Sequence, residues 1–154
     1  MNKKDRIYQE ADSACAICGT KGDKILSMHH IDHSDKDKER ETNHEYENLI
    51  LLCHNCHIKH HQHPNLLSRK TIQECKRQLI LKTITQYGLN SLKLASNPKG
   101  EFIAHPFMVF HLVDLGYLEQ KSEVSSYGET TISQRFETTE SGKKIVRIIE
   151  RNRK

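Results

Sequence analysis

No apolar run in this 154-residue chain approaches the ~18 residues that a membrane span requires. The first residues, MNKKDRIYQEAD, lack the apolar stretch of a signal peptide. Internal repeats and low-complexity tracts are also missing, which excludes solenoid and compositionally disordered classes. Only 35% of residues are apolar and the mean hydropathy is −0.74. Together these absences predict a polar, soluble, cytoplasmic protein, large enough for one domain or two small ones.

What is present is unevenly distributed. Nine of the 11 histidines lie between positions 29 and 63. Four of the five cysteines fall in two CxxC pairs, Cys15/Cys18 and Cys53/Cys56, which is metal spacing more than disulfide spacing. The fifth, Cys75, recurs with Ile72, Leu79, Ile80 and Ile84 at helical spacing and is expected as a small buried hydrophobe. Charge is uneven too: residues 1–64 carry a net −2 and residues 65–154 a net +6. A basic C-terminal half fits a polyanionic partner.

Local patterning predicts an α+β chain. A helix over Lys4 to about Ala11 precedes a knuckle at CAICG and a strand at KILSMHHI. The stretch SDKDKERETNHEYE mixes both signs with almost no apolar residue and reads as an exposed loop. It leads to a strand at NLILLC, a second knuckle at CHNC and a short helix running to Pro64. The second half opens with a helix over Ser68 to Tyr87 closed by Gly88. It continues with a helix burying Phe107, Phe110, Leu112, Val113 and Leu115, a hairpin around Tyr127-Gly128-Glu129, and a C-terminal helix.

Two CxxC pairs at strand ends, with 34 residues between Cys18 and Cys53, predict a closed four-thiolate structural zinc site formed by Cys15, Cys18, Cys53 and Cys56. Its value is to clamp the two strand ends where the core is small.

The clamp brings HHI near ENLILLCHNCH, and that combination resembles the HNH endonucleases of the ββα-metal class, in particular their zinc-knuckle members. The resemblance covers about residues 11–63. It implies that His29 is a ligand of a catalytic divalent metal and His30 the general base that activates water. It also implies that Asn48 braces the loop carrying the base or, as in some members, reaches the metal, and that His57 is a second metal ligand. His61 lies four residues beyond His57, and this His-x-x-x-His spacing resembles colicin-type members, so His61 is favoured over His60 as a third ligand. His33 and His44 are expected as spectators, and His54, His60 and His63 as solvated residues on a polar helix. Many members carry a proline two residues after the His-His-Ile; here Asp32 and His33 follow, and Asp32 is left either as a metal ligand or as a turn cap.

A neutral imidazole can deprotonate water at cellular pH, and a dication with open positions stabilises charge on phosphoryl oxygens. Magnesium or manganese is the expected catalytic ion, although imidazole ligands also suit nickel or zinc. The run LVDLGYLEQ, a hairpin and RFETTESGKKIV resemble the second half of a winged helix, with Thr139 to Gly142 starting the last helix. Lys143, Lys144, Arg147 and Arg151 are the expected phosphate contacts, with Arg153, Lys154, Arg135 and Lys121 nearby.

The expected architecture is therefore a zinc-stapled HNH nuclease domain over 1–64 followed by a winged-helix-like basic domain over 65–154. The resemblance implies cleavage of DNA leaving a 5′-phosphate. Two other functions stay open: a non-catalytic nucleic-acid-binding regulator, and the nuclease or interaction subunit of a larger restriction or phage-defence complex. Cutting both strands with one site per chain would be easiest for a homodimer.

Overall fold

A computed structural model of the chain describes residues 2–32, 44–97 and 102–150. The chain is α+β and forms two compact units, residues 1–80 and 81–154. The division falls inside a long helix, whereas the change of charge sign falls at Pro64.

In the first unit, helix α1 (Lys3–Glu10) starts at Asn2, whose side chain accepts from the Asp5 N–H at 2.8 Å. Strands β1 (Leu26–His30) and β2 (Leu49–Cys53) pair antiparallel, with Leu26 opposite Cys53 and His30 opposite Leu49. All five residues of β2 are buried, so the strand is covered on both faces, which is why it reads as an unbroken apolar run. Helix α1 packs on β2, and helix α2 (His54–Gln62) packs on both strands.

Helix α3 (Arg69–Ala95) presents Ile72, Lys76, Ile80 and Ile84 at a spacing of four, all buried. The lysine on this stripe is explained by its partner. Lys76 Nζ and the Tyr46 hydroxyl both donate to the buried Glu10 carboxylate. The Tyr46 ring lies under the Lys76 ammonium at 3.7 Å and the Arg6 guanidinium at 3.5 Å. Burial outweighs the carboxylate and pushes the Lys76 pKa down to about 8. Cys75 is half-buried rather than sealed, and its thiol donates to the Ala16 carbonyl at 3.0 Å.

The helix does not stop at Gly88. It is interrupted at Thr85 (φ 66, ψ 166) and resumes to Ala95. The Thr85 hydroxyl accepts from the Gly88 N–H at 3.2 Å, as a helix-capping side chain does. The Ile84 carbonyl at the break is met by His111 Nε2 at 3.2 Å. Gly88 serves close packing instead of termination, because a Cβ there would press on His111 Nε2 at 3.1 Å and Leu112 Cδ2 at 3.2 Å.

The second unit holds a three-stranded antiparallel sheet. Strands β3 (Phe102–Ala104), β4 (Leu118–Tyr127) and β5 (Thr130–Thr138) lie in the order β3-β5-β4. Helix α4 (Pro106–Asp114) buries Val109 and Leu112. Phe107 and Phe110, expected inside, are 85% and 67% exposed. The helix starts with His105 as its cap, and a buried face centred on Val109 and Leu112 turns both phenylalanines outward at 100° per residue.

Helix α5 (Glu140–Glu150) is launched by Thr139, whose hydroxyl accepts from the Gly142 N–H at 3.1 Å and donates to the Gly116 carbonyl at 2.7 Å. A Cβ on Gly142 would run into the Tyr117 carbonyl, which explains the glycine of the Thr-x-x-Gly step. Among the described residues, no helix is long and apolar enough to cross a membrane.

Candidate metal centres

The first knuckle is held to the sheet by the Ala16 N–H donating to the Leu51 carbonyl at 2.9 Å, and the second by the His54 N–H donating to the Ile25 carbonyl at 3.0 Å. These bonds carry Cys15, Cys18, Cys53 and Cys56 together, with all four Sγ atoms within 4.8 Å of one another. Cys18 and Cys53 are 3.6 Å apart at sulfur, and all the cysteines are free thiols. Four sulfurs at ~2.3 Å from a tetrahedral zinc would be ~3.8 Å apart, so the cluster has the size of a metal site and not of a disulfide.

Burial pushes the Cys53 and Cys56 thiols up, while hydrogen bonds from Thr20 bring Cys18 down to about 6. Buried thiols that resist ionisation alone become good thiolate ligands once a dication supplies the countercharge. The four cysteines thus form a site that fits a structural metal.

A second group lies at the junction of β1 and α2. Ring centroids of His29 and His57 are 4.8 Å apart, of His57 and His61 4.8 Å, and of His29 and His61 5.2 Å. Their ligand nitrogens lie within 4.8 Å of one another, the neighbourhood that three ligands of one dication share. His57 and His61 are brought to one face by their spacing of four on α2. His29 reaches them from the strand and is only 3% exposed; His57 is half-buried and His61 exposed. The site is therefore rooted in the core and open on one side.

His60 also stands near, 5.2 Å from both His29 and His61, but its Nδ1 is turned to the Leu67 carbonyl at 3.0 Å. His54 and His63 are exposed, and His33 lies outside the described residues. Asp32 does not join the imidazoles: its carboxylate pairs with Arg69 Nη1 at 2.8 Å.

Asn48 is buried at the entrance to β2. Its side-chain oxygen accepts from the Asp32 N–H at 2.8 Å, its amide donates to the Asp32 carbonyl at 3.3 Å, and its backbone carbonyl accepts from the Ile31 N–H at 2.8 Å. The turn that leaves His30 is thus braced at three points. His30 itself is half-buried beside His29, and its Nε2 lies 2.9 Å from Nδ1 of His44. His44, expected as a spectator, thus stands in direct contact with His30. The pairing of His30 with Leu49 brings the residues just before β2 near the end of β1, a relationship that no local sequence pattern signals.

The basic residues of α5 are less uniform than their sequence suggests. Arg147 is exposed, Lys144 is half-buried, and Lys143 pairs with Glu140 at 2.7 Å. On the hairpin, Lys121 is held by Glu119 at 3.0 Å and Glu137 at 3.5 Å. Arg151, Arg153 and Lys154 lie outside the described residues.

Residues 15–63, which span both knuckles and the imidazole group, match the family model for the HNH endonuclease. No curated protein and no solved structure matches the chain.

Proposed function

We propose that this chain, whose residues 15–63 match the family model for the HNH endonuclease, is a metal-dependent nuclease that hydrolyses phosphodiester bonds in DNA. The observation that carries the reading is the convergence of His29, His57 and His61, one residue along β1 from His30. In this reading the three imidazoles hold a divalent ion, magnesium or manganese, with nickel or zinc also compatible with imidazole ligands. Such an ion stabilises the negative charge that develops on the phosphoryl and leaving oxygens.

The chain's own residues do the rest. His30 points away from the ligand set because adjacent side chains on a strand face opposite sides. Its imidazole takes a proton from the attacking water, as a positioned general base does. Asn48 keeps the turn after His30 in place. Cys15, Cys18, Cys53 and Cys56 bind zinc and staple the ends of β1 and β2, so that a small core holds catalytic side chains steady.

The C-terminal unit we read as winged-helix-like. The sheet order β3-β5-β4, the long β4–β5 hairpin and the helix that follows support that reading. Arg147 and Lys144, with Arg151 beyond, would meet DNA phosphates, and Lys143 could do so only by leaving Glu140.

The test is incubation of the purified chain with supercoiled plasmid and Mg²⁺ or Mn²⁺, beside His30→Ala. Metal-dependent nicking or linearisation by the wild type and its loss in the variant are expected. An intact plasmid with every metal tried would remove the nuclease reading for this chain.

A further inference from the structure

His44 is fourteen residues from His30, yet their rings stand 4.8 Å apart between centroids at 67°. The contact is edge to edge through nitrogen, with Nδ1 of His44 2.9 Å from Nε2 of His30. One bond holds the His44 backbone and another the turn that follows it. Lys3 Nζ donates to the His44 carbonyl at 2.5 Å, and the Asn48 N–H donates to the Glu45 carbonyl at 2.9 Å in the 3-10 turn Tyr46–Asn48 that enters β2.

Two imidazole nitrogens at this separation share one hydrogen, so one ring donates and the other accepts. Were His44 the donor, the lone pair of His30 at Nε2 would be engaged and the hydrogen of its neutral ring would sit on Nδ1. Neither nitrogen could then take a proton from water. A base at His30 requires the opposite arrangement, with Nε2–H donating to His44 and the lone pair on Nδ1.

We propose that His44 is a positioning residue of the nuclease site. It accepts the Nε2–H of His30 and so fixes the tautomer whose Nδ1 takes the proton of the attacking water. The inference rests on the function proposed above, since it gives His30 a tautomer only a base needs. Water gives its proton to His30 Nδ1, and its oxygen lone pair forms the new bond to phosphorus. The phosphorus–O3′ bond breaks with its electron pair left on the departing oxygen, which takes a proton from solvent. The imidazolium formed keeps its Nε2–H on His44, the service that an acceptor behind a catalytic histidine provides in other hydrolases.

The experiment compares wild type, His30→Ala, His44→Ala, His44→Asn and the double alanine variant, all zinc-replete, on supercoiled plasmid with Mn²⁺. His44→Ala is expected to lower kcat about 10- to 100-fold, a part of what a general base supplies, with KM within about twofold. His44→Asn keeps an acceptor oxygen at the place of Nδ1 and is expected to recover most of the rate. The double variant should be no slower than His30→Ala, because the two act as one unit. Long-range ¹H–¹⁵N spectra supply a readout independent of turnover: the His30 ring should be protonated at Nε2 in the wild type and a mixture of tautomers in His44→Ala.

Wild-type cleavage by His44→Ala beside an inactive His30→Ala would overturn the role of His44 and leave His30 as base. Full activity of His30→Ala would instead overturn the base assignment itself. A loss that appears in KM, is not relieved by asparagine, or comes with lost zinc or a lower Tm would mean a binding or folding role and overturn the proposal. So would an unchanged His30 tautomer in His44→Ala.

Discussion

Asn48 holds Asp32 by both of its backbone polar groups, accepting from the N–H at 2.8 Å and donating to the carbonyl at 3.3 Å. Sixteen residues of chain separate the two, and the pairing sets the path of the backbone as it leaves His30. Replacing Asn48 by Ala removes two hydrogen bonds to the backbone of Asp32, an exposed residue whose freed groups water can reach, a net cost of roughly 1–2 kcal/mol. Plasmid cleavage by Asn48→Ala is expected to slow by more than its loss of stability accounts for, through misplacement of His30. Asn48→Asp keeps the acceptor and loses the donor, and its rate should fall between the two. Equal rates for wild type and Asn48→Ala, at matched folded fraction, would contradict this bracing role.

The four-cysteine cluster makes a prediction about metal content. About one tightly held zinc per chain is expected, retained in His30→Ala and lost in Cys53→Ser, since a closed site missing one of four thiolates binds far more weakly. Elemental analysis after dialysis against a chelator checks this. Unchanged zinc in Cys53→Ser would show that the metal is held elsewhere.

The buried Glu10–Lys76 pair predicts strong non-additivity. Lys76→Met leaves Glu10 charged and buried without its cation, a loss on the order of 3–5 kcal/mol. Combining it with Glu10→Gln, which still accepts from the Tyr46 hydroxyl, removes the stranded charge and should restore much of that stability. Denaturant midpoints of the two single variants and the double variant measure the coupling. A simple sum of the single effects would mean that the pair does not act as one unit.

Two glycines rank by what surrounds them. Gly142→Ala meets the Tyr117 backbone carbonyl, which cannot yield, whereas Gly88→Ala meets the His111 and Leu112 side chains at 3.1 and 3.2 Å. The first is expected to cost about 1–3 kcal/mol and the second less, because side chains can shift. Thermal melts of the two variants give the order, and a reversed order would refute the packing account.

If the C-terminal unit binds DNA, the combined change Lys144→Ala and Arg147→Ala should weaken binding across unrelated sequences. The slope of log K against log salt should become shallower by about 2. Fluorescence anisotropy over a salt series reads both. An unchanged slope would assign α5 to some other partner.

Much of the site was legible before the fold because it is written in short-range spacing. Two CxxC pairs, an adjacent His pair on a strand, and His57 and His61 one helical turn apart each declare their geometry locally, since periodicity alone sets which side chains share a face. The two phenylalanines of α4 misled for the converse reason. Their hydrophobicity says nothing about rotation, and the face that packs is set by where His105 caps the helix. Lys76 was hidden in an apolar stripe because a buried charge is explained only by its distant partner, Glu10.

By itself, then, the sequence determined the α+β class, the four-cysteine cluster and the identity of the imidazoles that meet, because ligand type and local repeat are properties of neighbours along the chain. Only the tertiary structure decided that Asp32 goes to Arg69, that Thr85 breaks a helix rather than Gly88 ending it, and that His44 stands behind His30. Each depends on contacts between segments far apart in sequence, and no periodicity encodes which of many polar partners a folded core will bring within reach.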